Sequence, residues 1–205
     1  MAVGCAAACG HKGGSSPSPS AAPQPTVPLP TSGLSGQQVI VLPLTLVAAE
    51  DSLRWETALS DRRATLTRAD SIVGTLLKAR APEVTWVLPD ELRRAQRRAP
   101  GIATDPDQMG TAVLRVERLP LVPDPLRSQL RMLAALAGGG GGRYALVPAA
   151  LIYRRAGSHA AAELVVVLVD VRTGRIGFRT VARGEGDDPW TTVTRAVKNL
   201  TPGLP

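Results

Sequence analysis

Aromatic residues are scarce in this sequence: three Trp, two Tyr and one Phe make up 3% of its 205 residues. A platform of rings for stacking exposed bases is therefore not expected. Cysteine occurs twice, at Cys5 and Cys9, so no disulfide can staple a core built from the rest of the chain. The pair with nearby His11 lacks the four ligands at finger-like spacing that a structural zinc requires, and no metal or other cofactor is assigned. Long apolar runs are missing too. The longest, VIVLPLTLVAA at 39–49, falls short of the roughly 18 residues that a spanning helix needs and carries Pro43.

What the chain does have is arginine, which supplies nearly all of a formal net charge of +7. Such a charge suits a phosphate-bearing partner, which keeps a soluble nucleic-acid-binding domain as the alternative reading. However, the arginines are dispersed among Asp and Glu, and an Arg-favouring genome gives the same count. With 44% hydrophobic residues, the chain can bury one modest core.

The first part reads MAVGCAAACGHKGGSSPSPSAAPQPTVPLPTSGLSG. Ala2-Val3-Gly4-Cys5 has the small-residue pattern of a bacterial lipobox, and Ala6-Ala7-Ala8-Cys9 offers a second register. The basic and apolar leader that should precede either Cys is not in the sequence, so the chain is expected to start inside its own signal peptide. Residues 1–9 are read as leader remnant and lipobox, with lipidation at Cys5 (alternative Cys9). Residues 10–37 are read as a disordered Gly/Ser/Pro linker that cannot bury enough surface to fold. Residues 38–201 are read as a single domain.

Within that domain, 38–48 reads as a strand apolar on both faces, with Pro43 marking a stop or bulge. Leu66, Ala69, Val73, Leu76 and Leu77 recur at helical spacing over 61–80, with Arg62, Arg63, Arg68, Asp70 and Lys78 placed mostly elsewhere on the wheel. VTWVL at 84–88 is a short strand. PDELRRAQRRA follows as a helix, acidic in its first turn and basic in its last. Asp105-Pro106 and Asp124-Pro125 both read as a helix cap followed by Pro, the second opening a helix that ends at Gly138 to Gly142. That glycine run is no phosphate loop, because no Lys-Ser or Lys-Thr follows. RYALVPAALIYRR, AAELVVVLVD and RIGFRTVARG are three successive strands with short links, and Asp187-Asp188-Pro189 caps a last helix bearing Trp190, Val193, Val197 and Leu200 on one stripe. The order predicts an α/β (α+β) fold: a single mixed β-sheet flanked by helices.

LVDVRTGRIG at 168–177 concentrates polar residues between two apolar runs. Asp170 and Thr173 have side chains suited to bonding nearby backbone in a tight turn, and Gly174 supplies the positive φ of a hairpin with a bulge, so the cluster reads as a structural turn.

The opening VIVLPL strand, the VTWVLPDEL strand-to-helix step, RYALVPAALIY and AELVVVLVDVRTGRIGFRT together resemble the domain shared by the CsgG lipoprotein, the TolB amino-terminal domain and LpoB-type envelope lipoproteins. The resemblance covers about 38–200. It implies a CsgG-like, TolB N-terminal-like fold in a periplasmic protein, lipid-anchored to the outer membrane and working through an envelope protein partner, with the oligomeric state left open. The long membrane-inserting hairpins of a CsgG pore and the TolB propeller have no counterpart here, so secretion is not implied.

No catalytic residue is assigned. His11 and His159 have no Ser or Cys nucleophile in a recognisable context, and no HExxH or DxDxDG pattern occurs. The pairs Glu50-Asp51, Asp90-Glu91 and Asp187-Asp188 are accounted for by helix starts, and Arg93-Arg94-x-x-Arg97-Arg98 reads as a solvated helix face.

Overall fold

The computed structural model describes Met1 and residues 25–137 and 142–201. It places one mixed six-stranded sheet at the centre, with four α-helices distributed over its two faces. The strands are β1 (Gln38–Val41), β2 (Val47–Ala49), β3 (Thr85–Val87), β4 (Tyr144–Ala156), β5 (His159–Asp170) and β6 (Ile176–Gly186). The helices are α1 (Arg62–Arg80), α2 (Pro89–Arg98), α3 (Leu126–Ala137) and α4 (Pro189–Leu200). Spatial order is β3-β1-β4-β5-β6, with β2 also on β4. β1 runs parallel to β3 and β4, whereas β4, β5 and β6 form an antiparallel meander.

Alternation along β1 builds both cores at once. Val39 and Val41 face one cluster, shared with Ala69, Val73 and Leu77 of α1 and Val193, Val197 and Leu200 of α4. Ile40 and Leu42 face the other, shared with Leu92 of α2 and Leu126, Leu130 and Leu133 of α3. The single strand expected over 38–48 is two strands. Pro43 lacks a donor for the ladder, and β2 resumes pairing with β4 only at Val47↔Leu151. Near the far end of β4 the buried Tyr153 hydroxyl donates to Pro189 O at 3.0 Å, tying the sheet to the start of α4.

Helix ends follow local chemistry. Asp61 accepts from Ala64 N at the start of α1, and Asp188 accepts from Trp190 N and Thr191 N at the start of α4. Gly184 lets α4 lie directly on β6, since a Cβ there would run into Ala196 N and backbone atoms of Arg195 and Thr192. Asp105-Pro106 opens a 3-10 turn, Pro106–Gln108, and not a full helix. α3 begins at Leu126, one residue after the expected Pro125, and Asp124 accepts from Ser128 Oγ at 2.7 Å and pairs with Arg127 in the first turn.

The packed chain begins earlier than Gln38. Within the span read as linker, Thr26 Oγ1 accepts from Arg183 N and Val27 N donates to Thr180 Oγ1, while Leu29 and Leu34 are buried in the α1/α4 core. Leu29 N also donates to Leu200 O at 2.8 Å. Two leucines are enough to seat this Pro-rich strap, whose prolines need no donors satisfied. The lipobox cysteines Cys5 and Cys9 and most of the glycine run lie outside the described residues. No helix among the described residues is long and apolar enough to cross a membrane.

Candidate functional site

The break at Pro43 has a direct consequence where α1 and α2 meet. Leu44 N, released from the ladder, donates to Asp70 Oδ1 at 2.8 Å. Asp70 stands at the fourth position after Leu66 and three before Val73, on the inward stripe of α1, and is 8% exposed. The expectation that it joins the polar residues of the outer wheel is therefore corrected: it points inward. Its other oxygen accepts from Arg93 Nη2 at 3.2 Å.

Arg93 is the centre of this arrangement. Its Nε and Nη2 take both oxygens of Asp107, at 2.8 and 2.7 Å, and Nη1 takes Asp90 at 2.8 Å. The guanidinium thus gathers three carboxylates from α1, α2 and the 3-10 turn after Asp105. The Asp107 pair is bidentate, the stronger kind. The solvated face expected for the α2 arginines holds for Arg94, Arg97 and Arg98, which are not buried. Arg93 departs from it, with a side chain only 21% exposed.

Burial pushes the Asp70 carboxyl up to about 6, against the opposing pull of the Leu44 N–H and of Arg93. Donation to Asp107 holds the Arg93 guanidinium above its ordinary value. The two directions are compatible because Arg93 is committed chiefly to Asp107, so Asp70 recovers only part of its lost hydration.

Arg93 and Leu44 open onto a cleft of about 800 Å³, whose lining also carries Arg62, Arg63 and Arg97 together with Asp90, Asp105 and Asp107, while Asp70 lies behind it. Arg62 Nη2 donates to Thr45 O at 2.9 Å. The lining includes no Cys, His or Ser, and no group of metal-ligating side chains assembles among the described residues. A buried carboxylate with a raised pKa next to a cleft marks a candidate site. Here, however, its oxygens are engaged by Leu44 N and Arg93, which fits a hub locking α1, α2 and the 106–108 turn together beside a charged cleft.

The other residues singled out in the sequence fall elsewhere. Asp170 Oδ1 accepts from Arg172 N and Thr173 N at 3.0 and 3.1 Å, and Oδ2 pairs with Arg143 at 3.0 Å. Burial works against its charged form, but the Thr173 N–H, Arg143 and the Arg172 N–H together hold its carboxyl below the ordinary range. Thr173 Oγ1 accepts from Arg175 N, and Gly174 has φ +76°. His159 opens β5, with Nδ1 at 2.7 Å from the exposed Asp187. Glu50 accepts from Arg154 and from Arg155 N and so joins its own strand region to the end of β4. None of these lies in the cleft lining.

No protein-family model matches the chain, and no curated protein matches it. Among solved structures, it is similar to the LpoB C-terminal domain from Salmonella enterica at 18% identity, covering 75% of this chain and 84% of that one with a TM-score of 0.36. The LpoB C-terminal domain from Escherichia coli is 16% identical over 76% of this chain and 91% of that one, TM-score 0.35. A PelC dodecamer from Paraburkholderia phytofirmans is 11% identical over 87% of this chain and 94% of that one, TM-score 0.35. At this level of likeness the functional reading rests on the residues themselves.

Proposed function

We propose that this chain is a lipid-anchored cell-envelope protein that works as an adaptor or assembly factor through protein contacts and not through catalysis. Cys5, with Cys9 as the second register, is the lipidation site; the stretch up to Pro25 is the tether, and the remainder is one domain on the periplasmic side of the outer membrane. The observation that carries this reading is the confinement of both cysteines to the first nine residues, ahead of a Gly/Ser/Pro tract. A thiol with a packing role would sit in the core. The resemblance to CsgG, TolB and LpoB-type proteins points the same way. The cleft supports contact over chemistry: Arg93 in its lining is internally paired, and the lining presents both signs of charge.

Expression from the native reading frame followed by detergent-phase partitioning tests the anchor. The mature protein is expected in the detergent phase, with Cys5→Ala or, in the second register, Cys9→Ala moving it to the aqueous phase. Aqueous partitioning of the unsubstituted protein, with an unmodified intact mass, would overturn the reading. The exposed arginines of α2 favour the nucleic-acid alternative, but Asp90, Asp105 and Asp107 line the same cleft as Arg97 and repel a phosphate backbone there. Salt-dependent retention of the domain on DNA would favour that alternative.

A further inference from the structure

A second cavity, of about 450 Å³, opens at the β6 edge, between Arg115 and Glu117 on one wall, Val27 on another, and Val165, Arg179 and Val181 on the sheet. Nε and Nη2 of Arg179 are buried, and neither has a hydrogen-bond partner among the described residues. Those two atoms form the side-on fork of a guanidinium, the geometry that takes both oxygens of a carboxylate. Arg93 uses the same two atoms on Asp107.

Neighbouring cations are already occupied. Arg115 Nε donates to Ala149 O at 3.0 Å, and Arg183 Nε pairs with Glu163 at 3.2 Å. Burial pulls the Arg179 pKa down, with the charge of Glu117 opposing it, yet a guanidinium stays charged throughout the working pH range. Glu117 is near enough to be felt but does not bond the fork. An unpaired buried cation costs stability unless an acceptor arrives.

We propose that this cavity is a recognition site for a carboxylate carried by a partner protein, taken side-on by Arg179. Three observations favour that occupant. Residues 2–24, 138–141 and 202–205 contain no Asp or Glu, so none of these stretches brings an acidic side chain of its own. Beside the arginines the lining also holds Val27, Val165 and Val181, which suit the apolar stem and neighbours of an acidic side chain. Finally, Glu117 and Glu163 beside the arginines disfavour a doubly charged phosphate. The site lies on the domain and does not rest on the anchor at Cys5, so its failure leaves the envelope reading where it stood.

The test titrates the full chain with a blocked Ser-Val-Glu-Val-Ser pentapeptide while following the Arg179 Nε–H resonance by NMR. The resonance is expected to shift saturably, and the Gln-containing counterpart should bind at least tenfold more weakly. Arg179→Gln should weaken binding by a similar factor, and Arg179→Lys should not restore it, because an ammonium lacks the fork. Arg179→Met, which removes the unpaired charge, should melt about 2 °C or more above the unsubstituted chain. The proposal is overturned by equal binding of the two peptides, by an unmoved Arg179 resonance, or by inorganic phosphate displacing the peptide at equal concentration. It is also overturned by a lower melting temperature for Arg179→Met, which would place the side chain in the fold's own bonding, or by sedimentation showing that a second copy of the chain fills the cavity.

Discussion

Arg93 and Arg179 offer the same pair of donors in two very different settings. In the cleft beside α2, every branch of the Arg93 guanidinium has a carboxylate, and the acids come from three separate elements. In the cavity at β6, the Nε and Nη2 fork of Arg179 has none among the described residues. Both side chains are partly withdrawn from water, so the contrast comes from partners and not from exposure. A saturated fork cross-links the structure that holds it. An unsaturated one weakens its own surroundings and gains by meeting an external acceptor, which gives the two sites opposite responses to substitution.

The largest expected effect comes from breaking the saturated site. Arg93→Ala strands Asp70 and should cost about 3–5 kcal/mol, read as a lower urea midpoint; a loss below ~1 kcal/mol would show that the hub contributes little. Next is the pH response of Asp70, whose folded pKa of about 6 lies above the ordinary 3.8. Its contribution to stability is full below the unfolded value and is lost as pH rises through about 6. Stability relative to Asp70→Asn should therefore fall between pH 4 and 7, by on the order of 2–3 kcal/mol. Parallel curves for the two proteins would contradict this.

A position tied to neither arginine calibrates the comparison. At Gly174, with φ +76°, an added Cβ would run into the Arg127 side chain, so Gly174→Val should cost about 2 kcal/mol in thermal unfolding. Arg179→Met moves the other way, with a gain of ~1 kcal/mol. Arg172→Ala, on the exposed turn, should stay within about 0.5 kcal/mol, and a larger loss would give that turn a role beyond register.

Periodicity makes most of the elements legible in the amino-acid sequence. The period-two runs of β4 to β6 and the capped helices α1 and α4 depend on near neighbours along the chain, and those rules are local. The hub is not legible in this way, because Arg93 meets Asp70 across 23 positions and Asp107 across 14. One signal is present: an aspartate at the Leu66, Val73 and Leu77 stripe of an amphipathic helix requires a buried partner. The strap at 25–34 is hidden by composition, since its prolines resemble linker while two leucines do the packing. Arg179 offers no signal at all. It sits in the alternating RIGFRTVARG pattern like any outward-facing residue, and its missing partner becomes visible only with three-dimensional neighbours in place.

The bond from Leu29 to Leu200 places the first and last packed segments side by side, so this domain is close to a ring in its connectivity. A circular permutant that joins residue 201 to residue 26 through a short linker and opens the chain at Gly157 would keep every strand pairing and both helix layers. The order in which the elements are synthesised is then separable from the arrangement they reach, and a fused reporter or a second domain can be attached at the Gly157 hairpin, on a different element from either arginine site.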